Sequence, residues 1–205
     1  MISLINKDFA IESYISSAYS NKGIMALGYF LIQIKGVSYG VKENDATALA
    51  NSYDAVIHRL EMRGKHIAPA DLIILPSMEL AQITNSSLYY RIDKQDSWEF
   101  SIPRDKLAKT IYKNNLIWAP DGDEAFDDGS RVFQFDIDDK TVRLIGYKTT
   151  DDYNIHTLSD LKINSNEFYS TLKEWSDGFY EEWQSFELST SSQVQTVKNP
   201  HHIHH

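Results

Sequence analysis

The stretch Val132-Phe-Gln-Phe-Asp-Ile-Asp-Asp-Lys-Thr-Val-Arg-Leu-Ile-Gly-Tyr147 decides the fold class. Its flanks are rich in β-branched and aromatic residues, and its middle, Asp138–Lys140, is polar. Two such runs across a short polar turn predict an antiparallel hairpin, Val132–Ile137 with Thr141–Tyr147. C-terminal to it, Phe168, Leu172, Trp175, Phe179, Trp183 and Phe186 fall on one stripe of a helix over about 165–186. Glu167, Glu174, Asp177 and Glu181 take the opposite side. A stripe of that kind faces a core.

Working toward the N-terminus, Phe9–Ile15 alternates as a strand, and Ile24–Ile34 is apolar on both parities, as a central strand is. Gly36 turns the chain into a short strand, Val37–Val41. A first helix follows, with Asn44 as the expected N-cap and Leu49, Tyr53, Val56, Ile57 and Leu60 on its inner face. Arg59 and Arg63 complement its C-terminal end, and Gly64 takes the left-handed cap. Weaker helices are expected from Ser77 to about Tyr89 and from Pro103 to Lys113, and short strands at Leu116–Trp118 and Leu161–Ile163. The sum is a single α+β domain over residues 1–187, a mostly antiparallel sheet with three to four helices packed on it. Residues 188–205 are expected to form a Ser/Thr/Gln-rich flexible polar tail that ends in a His-rich run resembling an affinity tag.

Length and composition agree with this. A chain of 205 residues with 42% hydrophobic and 24% charged residues is long enough for one core and too apolar to be disordered. Cysteine is absent, which removes disulfides, thiolate zinc sites, iron–sulfur clusters and a cysteine nucleophile, and fits a reducing compartment. The longest uncharged apolar stretch, Gly23–Ile34, is far short of the ~20 residues of a membrane span, and Met1–Ala10 shows no secretory leader.

The net charge is −9, with a pI near 5.2, which argues against nucleic acid or an anionic membrane as partner. The excess is local. Residues 1–120 hold 12 acidic and 13 basic residues, whereas residues 121–187 hold 17 acidic and 6 basic. Its densest part is Trp118-Ala-Pro-Asp-Gly-Asp-Glu-Ala-Phe-Asp-Asp-Gly-Ser130, with Asp121, Asp123, Glu124, Asp127 and Asp128. Carboxylates that crowded need compensation: backbone donors in a structural turn, a cationic protein partner, or a metal. The helix–loop–helix calcium pattern fails, because its glycine and bidentate glutamate positions fall on Phe126 and Val132.

Gly36-Val-Ser-Tyr-Gly40 matches the G-x-S-x-G of α/β-hydrolases, and Ser38, an acid at 121–128 and His156 follow the chain order of that triad. The elbow needs a helix directly after the serine, whereas the expected cap at Asn44 lies six residues on, so a glycine-flanked hairpin turn is the simpler reading. No histidine pair shows zinc-ligand spacing, and His58, His66 and His156 fit packing or surface roles. No glycine-rich phosphate cradle is present.

The acid motif, with Val132–Asp136 and Val142-Arg-Leu-Ile145 after it, resembles the bacterial immunity protein 42 family. Phe9-Ala-Ile-Glu-Ser, Gly36-Val-Ser-Tyr-Gly-Val, Asp45-Ala-Thr-Ala-Leu-Ala, Asn166-Glu-Phe-Tyr, Trp175 and Trp183 extend the resemblance over about residues 8–184. It implies an antidote of a polymorphic toxin system, such as contact-dependent growth inhibition, that blocks a cognate toxin domain stoichiometrically in the cytoplasm, without catalysis or cofactor. Such toxins are often nucleases, which are basic because their substrate is a polyanion. An acidic antidote is steered to a basic toxin and occludes its cleft. The contact candidates are Asp121, Asp123, Glu124, Asp127, Asp128, Asp152, Tyr153, Glu174, Asp177 and Glu181. Because the acid motif is what most resembles the family as a whole, it is alternatively scaffold. Recognition of one particular toxin then falls to the last helix and the loop at Asp151–Tyr153.

Overall fold

The computed structural model describes residues 2–6, 8–89, 98–118, 124–150 and 154–196. Strands β1 (Ile2–Asn6), β2 (Phe9–Ala18), β3 (Ala26–Ile34), β4 (Val37–Tyr39) and β5 (Thr47–Ala48) precede helices α1 (Leu49–Glu61), α2 (Ala70–Ile73), α3 (Ser77–Leu88) and α4 (Arg104–Lys113). A single 3-10 turn, Glu124–Phe126, then leads into β6 (Ser130–Asp136), β7 (Thr141–Thr149), β8 (Ile155–Asn164) and α5 (Ser165–Thr196). The fold is α+β, with two antiparallel sheets. The first runs β1-β2-β3-β4 with β5 also on β3, and the second runs β6-β7-β8.

β3 is central, as its two apolar parities predict. It pairs with β2 from Phe9↔Ile34 to Ala18↔Ala26 and on its other side with β4 and β5. The β3–β4 turn is Lys35-Gly36, both with positive φ (51° and 78°), the backbone that matches the twist of a two-residue hairpin. The expected β6–β7 hairpin forms with Asp136↔Val142 as its last pair. The Asp138 carboxylate accepts the Lys140 backbone N–H at 2.8 Å and closes the turn.

The second sheet is the middle layer. One face, with Val132, Val142, Leu144, Leu161 and Ile163, packs with the first sheet, α1 and α5. The other, with Phe133, Phe135, Ile145 and Tyr147, packs with the α2–α4 region. A sheet covered on both sides needs apolar residues at both parities, hence the near-continuous apolar runs of β6 and β7. Tyr39 joins the two sheets: its hydroxyl lies 2.9 Å from the Gly146 carbonyl and 2.8 Å from Ser159 Oγ. The α5 stripe is core from Phe168 to Trp183, whereas Phe186, expected on the same stripe, is 40% exposed. Phe168, Leu172, Trp175, Phe179 and Trp183 are all buried. Both indoles of the stripe find acceptors, Trp175 in Ser13 Oγ and Trp183 in the Tyr19 carbonyl, each at 3.0 Å.

Several local expectations are corrected. Asn44 does not cap α1. The helix starts at Leu49, after Ala48, and no side chain caps it. Pairing of Thr47 and Ala48 with β3 claims the chain first, and the Ala50 N–H finds the Ile24 carbonyl instead. Leu116–Trp118 makes only one bridge, Ile117↔Phe133, flanked by backbone bonds between Trp118 and Val132 and between Gln134 and Leu116. The short strand at Leu161–Ile163 is the end of ten-residue β8, whose polar residues sit on a strand paired only with β7. Ile57 is only half-buried, and Arg59 occupies the inside of α1 instead.

Arg59 is wholly buried and works as a strut. Its Nη1 donates to the Asn115 carbonyl at 3.0 Å and to Gln134 Oε1 at 3.1 Å, and its Nη2 donates to the Ile117 carbonyl. Its guanidinium stacks 4.2 Å from the centre of the Trp118 ring. Burial pulls its pKa down to about 9, against the opposing pull of Tyr169 and Asp136, which leaves it charged at neutral pH. Around it, Gln134 Nε2 donates to Tyr169 Oη at 2.8 Å, and Tyr169 Oη lies 3.0 Å from both oxygens of Asp136. His66 is buried beside them, its pKa lowered by burial and by Arg59. Its Nδ1 lies 3.1 and 3.0 Å from the Asn114 and Asn115 carbonyls, so that nitrogen carries the proton. These titratable groups are enclosed (Arg59 and His66 are 0% exposed, Tyr169 3%, Asp136 6%), so the cluster pins the Leu116–Trp118 segment to the sheet rather than forming an open site.

Candidate binding surface

The acid motif is built on its apolar and small residues. Ala125 and Phe126 are buried, with Phe126 set edge-on to Phe30 at 6.4 Å. The Ala125 carbonyl accepts from Val41 N at 2.9 Å, and Ser130 Oγ accepts from Gly40 N at 3.0 Å. The G-x-S-x-G segment is therefore a clamp for this loop. Ser38 sits within β4, and no helix follows until Leu49, so the nucleophile elbow does not form. Ser38 has no hydrogen bond to a histidine among the described residues, and His156 Nδ1 lies 2.9 Å from Thr157 Oγ1.

Gly129 has φ +79°, and a Cβ there runs into the Thr149 carbonyl. That close approach lets Thr149 N donate to the Gly129 carbonyl at 3.0 Å. It places residues 124–129 beside Thr149 and Thr150, at one end of the second sheet. Asp127, Asp128, Arg131 and Thr150 line an open cleft of about 490 Å³ there.

The expected contact residues divide by environment. Glu124 and Asp127 are exposed, with no ion-pair partner among the described residues. Asp128 is half-buried and committed: Oδ2 accepts from Lys148 Nζ at 2.6 Å and Oδ1 from Ser130 N at 3.1 Å. On α5, Glu174, Asp177 and Glu181 are exposed opposite the buried stripe, and Asp177 pairs with Lys173 at 2.7 Å. Asp121, Asp123, Asp152 and Tyr153 lie outside the described residues. The structure thus brings Glu124, Asp127 and Asp128 together on one loop and sets the α5 carboxylates on a separate element. Among the described residues, no group of three His, Asp or Glu side chains is placed to hold a metal ion. Nor, among the described residues, is any helix long and apolar enough to cross a membrane.

Asp128 carries a pH dependence. Burial acts to raise its pKa, but the hydrogen bonds from Lys148 and Ser130 outweigh it, and the pKa falls below its ordinary 3.8. A carboxyl depressed in the fold contributes stability that is complete above its unfolded value and is lost as pH falls through the folded one. Asp128→Asn is expected to lower stability at pH 7 by about 1 kcal/mol and to flatten the loss below pH 3.8. Urea midpoints at pH 7 and pH 3 check this. An equal acid-dependent loss in both proteins contradicts it.

The fold resembles a crystal structure of CdiI from Burkholderia dolosa AUO158, with a TM-score of 0.52 and 15% sequence identity, covering 85% of this chain and 97% of that one. At that identity the likeness is one of fold. The family model for immunity protein 42 matches residues 6–178. The chain belongs to the immunity protein 42 family. A comparison with curated proteins returns no match.

Proposed function

We propose that this protein neutralises one cognate bacterial toxin domain by binding it stoichiometrically in the cytoplasm, as part of a contact-dependent growth inhibition system. The observation that carries this reading is the family match across residues 6–178. The toxin domain is basic and is a nuclease, most simply a ribonuclease. The carboxylates of Glu124 and Asp127, which have no ion-pair partner among the described residues, and the exposed α5 acids Glu174, Asp177 and Glu181 take the place of substrate phosphates at its cleft. Asp128 contributes less, because Lys148 already neutralises it. Asp121 and Asp123, just before this loop in sequence, and Asp152 and Tyr153, between β7 and β8 in sequence, are further contact candidates. The protein itself makes and breaks no bond in this account. Its effect is electrostatic steering followed by occlusion of the toxin's cleft.

Calorimetry between the full chain and the C-terminal toxin domain encoded immediately upstream tests the reading. A 1:1 complex is expected, with Glu124→Gln/Asp127→Asn and Glu174→Gln/Glu181→Gln compared separately. The pair at the true contact weakens the complex about tenfold and flattens the dependence of its affinity on salt. Wild-type affinity and unchanged salt dependence in both pairs remove these residues from the interface, and no complex with the wild type removes the function.

A further inference from the structure

We infer that the cleft between α3 and residues 98–100 receives an arginine side chain of the toxin domain, an inference that rests on the toxin-binding reading above. The cleft holds about 410 Å³. Glu79 and Ile83 line it from α3, and Trp98, Glu99 and Phe100 form the facing wall.

Local structure explains why these residues meet. Leu80, Ala81 and Thr84 turn the inner face of α3 into the core. That leaves Glu79, Ile83 and Ser86, at helical spacing, along its outer face. Arg143 secures the N-terminal approach to the helix by donating to the Ile73 and Leu75 carbonyls while pairing with Asp160 at 2.7 Å. The opposite wall is held by Trp98. Its indole N–H donates to the Ile102 carbonyl at 2.8 Å, and its ring meets Phe100 edge-on at 6.3 Å.

The chemistry selects the occupant. Glu79 and Glu99 are exposed, and neither has an ion-pair or hydrogen-bond partner among the described residues. Two carboxylates beside two fixed aromatic rings form a receptor for a cation: the charge meets the acids, and the aliphatic stem covers Ile83 and Phe100. A planar guanidinium uses both features, stacking on the rings and donating in a fork to carboxylate, whereas a lysine ammonium uses chiefly the charge. Trp98 already supports one guanidinium of this chain, with Arg104 4.9 Å from the ring centre.

Helix α3 leads from this cleft toward the acid loop. Ser86, on its lining, lies one helical turn before Tyr89, and the Arg131 guanidinium stacks 4.7 Å from the Tyr89 ring centre. Arg131 also lines the cleft beside Asp127 and Asp128. The Arg131 guanidinium therefore sits between the Tyr89 ring and the carboxylates of Asp127 and Asp128. A partner must match that order of charges, which sets register and excludes toxins with another order.

Binding of the full-length chain to the toxin domain at about 0.15 M salt tests the proposal. Glu79→Lys/Glu99→Lys is expected to weaken the complex about 30-fold or more, and Glu79→Gln/Glu99→Gln about tenfold with a shallower salt dependence. Both pairs are at exposed positions, so their thermal unfolding should match the wild type. Trp98→Leu, which keeps an apolar wall and removes the stacking face, should weaken binding with the salt dependence intact. Wild-type binding that persists within twofold in Glu79→Lys/Glu99→Lys overturns the proposal and leaves the toxin-binding function standing. A change of oligomeric state in that variant without a change in toxin affinity assigns the cleft to a second copy of this chain and overturns it equally. Failure of the wild type to bind overturns the function itself.

Discussion

Trp175→Ala is expected to lower the unfolding free energy by about 3–5 kcal/mol, the range for truncating a large aromatic residue in a close-packed core. Trp175 is fully buried between α5 and the first sheet. Its ring stands edge-on to Phe30 at 5.0 Å and stacks on Phe179 at 5.2 Å, and its indole N–H satisfies Ser13 Oγ. Truncation removes those contacts, leaves a void that the stiff sheet cannot close, and strips a buried hydroxyl of its donor. Trp175→Phe keeps most of the apolar volume and loses only the hydrogen bond and part of the ring, so a loss of about 1–2 kcal/mol is expected. Urea unfolding of the three proteins measures the difference. A loss below about 1 kcal/mol for the alanine variant contradicts the placement of α5.

Arg59→Ala is expected to be about as damaging, again about 3–5 kcal/mol, through a different cause. The lost groups are donors. The Asn115 and Ile117 carbonyls and Gln134 Oε1 each lose a charged donor in a dry environment, and the Trp118 ring loses its stacked cation. Arg59→Lys keeps the charge but cannot reach three acceptors from one planar fork, so it should recover only part of the loss. Because Arg59 pins the segment leading into the acid motif, both variants should also protect less well against the toxin. Amide hydrogen exchange separates this from global unfolding. In Arg59→Lys, faster exchange should concentrate at Leu116–Trp118 and the facing residues of β6. Uniform acceleration throughout the chain contradicts the strut role.

The parts of the fold that the sequence displays are those with strong periodicity. β3, the β6–β7 hairpin and the α5 stripe are legible because a strand buried on both faces is apolar at every position and a long amphipathic helix repeats its stripe. The parts it conceals are fixed by distant partners. β8 reads as polar because its identity comes from pairing with β7, not from its own residues. The start of α1 shifts from Asn44 to Leu49 because β3 recruits Thr47 and Ala48. Arg59 looks like an ordinary complement to the end of a helix, and nothing near it in sequence announces that its acceptors sit 56–75 positions away.

The candidate surface divides in the same way. The density of acid at 121–128 is plain in the sequence, and so is the acidic side of α5. Which carboxylates remain available is not, because that depends on Lys148 reaching across from β7 to Asp128 and on Lys173 reaching Asp177. The α3 cleft gives no local signal at all. Glu79 and Glu99 are 20 residues apart, in segments of ordinary composition, and only the packing of α3 against residues 98–100 makes them one site.

The most direct test of the account is a titration of the toxin domain's activity with the purified full-length chain. Activity should fall linearly and reach zero at one molecule of this protein per toxin molecule. Raising salt should slow the onset of inhibition if, as proposed, steering between opposite charges drives the encounter. Complete inactivation of the toxin by a small fraction of an equivalent, or activity that survives a large excess, would show that this protein does not act by occupying the toxin one for one.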